Sequence, residues 1–135
     1  KSLEISKTEL LTLPTLIHLN TEISGETDQG VLSLVNRLHP TPALCGWPRQ
    51  EALDWLKETE NLERGWYGSP IGWVTPKGDG IFSVAIRSAL IDGTKATAFA
   101  GAGIVEHSIP QHEWEETHLK FKTILDSLRT ESADT

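Results

Sequence analysis

The sequence predicts an α+β fold, an antiparallel β-meander with packed helices, and three observations carry that expectation. Between residues 65 and 105, apolar runs are separated by the turn sequences Pro-Lys-Gly-Asp-Gly and Asp-Gly-Thr-Lys, the pattern of successive antiparallel strands. Residues 3–23 alternate apolar and polar side chains and are rich in β-branched types. Residues 31–38, residues 49–60 and the segment beyond 109 space their apolar side chains at helical intervals.

In chain order, Leu3 and Ile5 open a strand, Pro14 interrupts it, and a second extended run carries His18 between Ile17 and Leu19. The ordinary role of one histidine on such a strand is structural. Residues 24–30 form a turn-rich loop, and a helix follows through Val31, Leu32, Leu34, Val35 and Leu38. It must stop before Pro40, whose ring disfavours helical geometry at His39. Residues 39–49 hold three prolines and a glycine and read as a rigid, non-repetitive loop. From Arg49 to Glu60 a helix is expected, with Ala52, Leu53, Trp55 and Leu56 toward the core and Glu51, Asp54, Lys57 and Glu58 outward.

The central strand is expected to run unbroken from Ile81 to Ile91, placing Ala85, Arg87 and Ala89 on one face. Arg87 is its only charge. A buried guanidinium is costly without a partner. That partner is either a carboxylate elsewhere in the fold or a ligand carboxylate gripped by two parallel hydrogen bonds, for which the small neighbours leave room.

Residues 100–120 run from a glycine-rich turn into a helix. Ser108 and Gln111 have capping-box spacing, and Pro110 is tolerated in a first helical turn, so the helix starts near residue 109. At about 100° per residue, Glu113, Glu116, Thr117 and Lys120 share one stripe. Trp114, Phe121, Ile124, Leu125 and Leu128 make the adjoining apolar stripe. Two carboxylates three residues apart suit a hard cation such as magnesium, which takes one or two carboxylates from a protein. The alternative is a solvated acidic face with an i,i+4 pair between Glu116 and Lys120. The segment His-Glu-Trp-Glu-Glu begins like a zinc-protease helix but has Glu116 where the second histidine belongs. Gly-Ala-Gly is too short for a dinucleotide fingerprint.

With 135 residues, 38% apolar content and five tryptophans, one globular domain with a real core is expected. The net charge of −7, with no lysine/arginine block, argues against a nucleic-acid partner. An anionic ligand would need local cations or a metal. Cys45 is the single cysteine, which excludes an internal disulfide and fits a reducing compartment. No apolar run is long enough to cross a membrane and the first residues are no signal peptide, so the cytoplasm, or an organelle such as the plastid stroma, is the expected location. The sequence contains no methionine, even at position 1, so a processed product or a piece of something longer is expected.

Six blocks in this order resemble one family: LIHLNTEISG, LHPTPALCGWPR, RGWYGSPIGW, FSVAIRSALIDG, AGAGIV and EWEETHLK. The chain is similar, over nearly its whole length, to the C-terminal part of the chorismate-utilising enzymes, and most to isochorismate synthases. The HPTPA form looks like the isochorismate branch. Anthranilate synthases typically carry a loop ending in SGAPK, and salicylate synthases place threonine and alanine where Ala43 and Leu44 stand. Cys45 departs from the small glycine or serine common there. The resemblance implies that residues 1–135 are the C-terminal portion of a chorismate-binding layered α/β sandwich, the N-terminal portion being absent. It implies magnesium as cofactor, with Glu116 as ligand and Glu113 holding metal-bound water or sharing the ligation. Arg87 and Tyr67 would grip the enolpyruvyl carboxylate of chorismate, and amides around Gly101 and Gly103, with Lys120, the ring carboxylate. His18 would approach a ring hydroxyl, and Ala43, Leu44 and Gly46 would line the ring. The family reaction adds water at one ring carbon as the hydroxyl two carbons away leaves, with a lysine base and a glutamate acid that lie upstream in relatives. The expected partner is therefore the missing N-terminal half, on the same polypeptide or as a separate chain. Two alternatives stay open: another chorismate-utilising enzyme, such as a salicylate or anthranilate synthase, or a non-catalytic interaction module.

Overall fold

The computed structural model describes residues 2–12 and 17–129, and the interruption expected at Pro14 lies outside them. The architecture is α+β with antiparallel pairing throughout, as expected. β1 (Leu3–Ile5) pairs with β4 (Ile23–Gly25), and β2 (Glu9–Thr12) pairs with β3 (Ile17–Asn20). Ile5 faces Ile23 and Glu9 faces Asn20, so Ser6, Lys7 and Thr8 oppose only Thr21 and Glu22. This is a β-bulge, and the unpaired backbone is tied by side chains. The Glu22 N–H donates to Ser6 Oγ at 2.9 Å, and the Thr8 and Thr21 hydroxyls lie 2.7 Å apart.

Helix α1 (Val31–Leu38) ends before Pro40, as expected. The proline-rich stretch is not wholly irregular: Pro42–Cys45 form one helical turn, α2. Pro42 at the first helical position is pre-set for it, and Gly46 at φ 88° ends it. Both His39–Pro40 and Trp47–Pro48 are cis. α3 covers Arg49–Thr59, and α2 packs against it. Trp55, expected inward, is 63% exposed.

Two hairpins follow. β5 (Pro70–Val74) pairs with β6 (Gly80–Val84), and β7 (Ser88–Asp92) with β8 (Lys95–Phe99). Both turns fall where their Gly-Asp and Asp-Gly sequences put them, and Gly93 at φ 57° supplies the left-handed conformation a two-residue loop requires. The unbroken strand from Ile81 to Ile91 does not form. Ser69 and Ala85 extend the β5–β6 pairing by one residue, after which the Ile86 N–H bonds to the Val84 carbonyl at 2.8 Å, a three-residue turn. Arg87 then takes φ 49°, and the chain leaves as β7 in a new direction. No glycine, proline or asparagine marks this break, which is why periodicity alone reads straight through it.

α4 (Pro110–Leu128) lies against β8. Ile109 is its N-cap and no capping box forms; Ser108 Oγ instead donates to Glu113 Oε1 at 2.7 Å. Its inward face is Glu113, Thr117, Lys120, Phe121 and Ile124, so the stripe expected to be chemical is also the packed one. Trp114 is 62% exposed, and Leu125 and Leu128 are exposed too.

The expected core is nearly absent: among the described residues only Cys45 and Ile124 are buried apolar side chains. The cause is architectural. Each sheet has two strands, and a two-stranded ribbon with few helices against it leaves apolar faces uncovered. No helix among the described residues is long and apolar enough to cross a membrane.

Gly72 opposes Phe82 so closely that a Cβ would stand 2.0 Å from the Ile81 carbonyl oxygen. Gly72→Ala is expected to lower stability by about 1–3 kcal/mol through overpacking. Gly103→Ala, where a Cβ meets nothing within 4 Å, is expected to be nearly neutral for stability. Parallel thermal melts of the two variants decide the point.

Candidate functional site

The kink at Arg87 opens onto the cavity that gathers most of the expected site residues. It has a volume of about 450 Å³, and His18 from β3, Ala43 and Leu44 from α2, and Tyr67 from the turn before β5 line it. Arg87, Gly101, Gly103 and Lys120 complete the set expected from sequence. Gly46 lines an adjoining cavity instead.

Arg87 is half-buried, and its Nη2 lies 2.7 Å from His18 Nε2. A guanidinium only donates, so His18 Nε2 is the acceptor and the ring proton sits on Nδ1. Among the described residues no carboxylate pairs with Arg87, so its charge is uncompensated where it meets the cavity. The structural alternative for Arg87, a carboxylate partner, is thus replaced by an imidazole that offers no charge.

Lys120 reaches from α4 to the glycine turn. Its Nζ donates to the Gly101 carbonyl at 2.9 Å and pairs with Glu116 Oε1 at 2.6 Å. Tyr67 stacks on Phe99, ring centroids 5.6 Å apart, and a Cβ on Gly101 would lie 3.0 Å from the Tyr67 hydroxyl. Gly101 therefore lets the phenol come close to the backbone. Burial pushes the Tyr67 phenol up, with the Arg64 cation drawing it partly back.

Glu113 and Glu116 do not line this cavity. Glu113, bonded to Ser108, faces a neighbouring cavity of about 320 Å³ with Trp114 and Thr117. Glu116 touches the main cavity only through Lys120, so its expected convergence with Arg87 is indirect. No group of three or more His, Cys, Asp or Glu suited to a metal occurs among the described residues. Two carboxylates one helical turn apart have the donor chemistry of the protein share of a magnesium site, since that ion keeps waters and takes its other oxygens from a bound ligand, and here those carboxylates are held by Ser108 and Lys120.

Sequence patterns missed Glu60 and Arg64, which also line the cavity. Arg64 holds Glu60 with two hydrogen bonds of 2.5 and 2.6 Å, which keeps the Glu60 carboxyl below its ordinary range and the Arg64 guanidinium above its own. Their i,i+4 spacing was the available signal, though it lies just past α3. The lining carries three cations, Arg64, Arg87 and Lys120, of which Arg64 is matched by Glu60 and Lys120 by Glu116, so among the described residues Arg87 is the one left without a carboxylate. An unmatched guanidinium at a cavity has the chemistry to take an anion.

A family model described as chorismate binding enzyme matches residues 1–129. Isochorismate synthase MenF of Bacillus subtilis is 48% identical over 113 residues, covering 82% of this chain and 24% of that protein. The salicylate biosynthesis isochorismate synthase of Pseudomonas aeruginosa is 45% identical over 113 residues, with the same two shares, 82% and 24%. A crystal structure from Bacillus anthracis, described as a 2,3-dihydroxybenzoate-specific isochorismate synthase, DhbC, superposes with a TM-score of 0.89 at 35% identity, covering 94% of this chain and 35% of that one. The chain spans about a quarter to a third of the length of these relatives.

The Glu60–Arg64 pair makes a pH dependence. Glu60 has a folded pKa below its unfolded value near 4.5, so its contribution is fully present above that value and is lost as pH falls through the folded pKa. The stability difference between the wild type and Glu60→Gln is therefore expected to be largest near neutrality and to close as pH drops below about 4.5. Urea titrations at several pH values measure it.

Proposed function

Because this chain belongs to the chorismate binding enzyme family, we propose that it is the C-terminal part of an isochorismate synthase whose complete active site converts chorismate to isochorismate. The observation that carries the proposal is the cavity around Arg87, whose guanidinium has no carboxylate partner among the described residues. Chorismate is a small dianion, and a cavity of about 450 Å³ lies within the range of small-molecule sites.

The reaction is an isomerisation: water adds at one ring carbon as the hydroxyl two carbons away departs, so atoms and charge balance. The base and acid for that exchange come from outside this chain, whose own residues bind and orient. Arg87 and Tyr67 take the enolpyruvyl carboxylate, the arginine by two parallel hydrogen bonds. Lys120, anchored on the Gly101 carbonyl, stands beside the amides of residues 101–103 and takes the ring carboxylate. His18, protonated on Nδ1 while it accepts from Arg87, stands toward a ring hydroxyl. Ala43 and Leu44 form the wall against the ring, with Gly46 behind them. Glu113 and Glu116 would hold magnesium, which when bound supplies positive charge to the ring carboxylate and the leaving hydroxyl. An interaction module would have no need of such a cavity, and this favours the enzymatic function.

Three measurements test the proposal. The complete enzyme is expected to convert chorismate to isochorismate, followed by chromatography, and to stop when EDTA removes magnesium. In that enzyme Arg87→Ala is expected to lower kcat/KM about a hundredfold or more, since it removes one partner of a charge-assisted contact. The 135-residue chain alone is expected to give no turnover, and turnover by it would overturn the division of the active site.

A further inference from the structure

Arg64 has no part in the roles above, yet its side chain stands between them. Besides holding both oxygens of Glu60, it donates from Nη1 to the Leu44 carbonyl at 3.2 Å. Its own carbonyl accepts the Tyr67 N–H at 2.9 Å. One residue thus joins the turn that carries Tyr67 to the helical turn that carries Leu44.

α2 cannot hold itself in place. Four residues are far below the length at which a helix persists alone, and its last carbonyls have no partner inside the turn. The amides of Leu44, Cys45 and Gly46 bond back to Thr41 and Pro42, but the Leu44 carbonyl is satisfied only from outside, by Arg64. Gly68 turns the chain beside them at φ 80°, a conformation that favours glycine. Glu60 neutralises the guanidinium and fixes its fork, which keeps Arg64 from swinging into the cavity as a competing anion ligand beside Arg87 and Lys120.

We propose that Arg64, clamped by Glu60, is a positioning residue that sets the depth of Leu44 against the substrate ring; this rests on the isochorismate synthase function of the cavity. Arg64→Met, Arg64→Lys, Leu44→Ala and the double variant Arg64→Met/Leu44→Ala, all in the complete enzyme, test it by hydrogen exchange and by kinetics. Arg64→Met is expected to speed exchange at the amides of residues 44–46 about tenfold while the β5–β6 hairpin is unchanged. It is also expected to lower kcat for chorismate, and that loss should nearly vanish in the Leu44→Ala background, because Arg64 acts through Leu44. Arg64→Lys keeps the charge without the fork and is expected to restore neither readout. If Arg64→Met does not fold, Arg64→Lys carries the same cycle with Leu44→Ala. Unchanged exchange at residues 44–46, or losses that simply add, would overturn the proposal. Faster exchange at residues 44–46 in Arg64→Met, together with a wild type that turns over no chorismate, would overturn the functional assignment and leave the strut standing.

Discussion

A guanidinium has five donors and no acceptor, so a half-buried Arg87 obliges acceptors to come to it. His18 does, from 69 residues upstream, and the contact binds the N-terminal ribbon to the point where β6 gives way to β7. The backbone yields as well: φ 49° at a non-glycine residue costs on the order of 1–3 kcal/mol and persists only where the surroundings enforce it. Strain of this kind concentrates at sites where a side chain must be aimed. Here it aims one cation at a cavity, with no carboxylate among the described residues to match its charge.

The other long-range joins repeat the device. Lys120 ties α4 to the glycine turn, Arg64 ties α2 to the turn before β5, and Arg49 reaches back to the Arg37 and His39 carbonyls to fasten α3 to the end of α1. With two apolar side chains buried among the described residues, close packing cannot be what fixes these elements relative to one another. Directional bonds from cations to backbone carbonyls do so instead, and each also satisfies an acceptor that a loop or helix end would otherwise leave open. The shape of the cavity and its charge therefore have one source. A substitution that removes a cation alters both together.

What the sequence disclosed follows from which forces are local. Turn chemistry is local, so the loops at residues 75–79 and 93–94 and the end of α1 before Pro40 were legible. Helical periodicity located α1, α3 and α4 but misjudged what they face: Trp55 and Trp114 fit an apolar stripe and are exposed, because a stripe states what could be covered and not what is present to cover it. The kink at residues 85–87 was illegible because no residue there prefers a turn; distant contacts impose it. Arg87 itself stood out as a lone charge in an apolar run, yet its partner could not be named, since His18 looks like any strand histidine. Ser108 had the spacing of a cap and spends its hydroxyl on Glu113, a competition that spacing cannot resolve. Glu60 and Arg64 escaped notice because an i,i+4 ion pair is commonplace and becomes informative only when a third group, the Leu44 carbonyl, is seen in its reach.

Net charge was the least informative number about the ligand. The chain carries seven more acidic than basic groups, yet its cavity lining is cationic. The two facts are compatible because charge acts over short distances in salt water, with a screening length of about 8 Å. Acids such as Asp54 and Asp126 sit on exposed helix faces and are matched by Lys57 and Lys122 one turn away, pairs that contribute little and project little. Inside the cavity the nearest charges dominate, and among the described residues no acid pairs with Arg87. A polyanion must contact a wide surface and meets the whole acidic exterior. A small dianion entering between Arg87 and Lys120 would meet only the lining, so an acidic exterior and a site for a small anion are compatible in one chain.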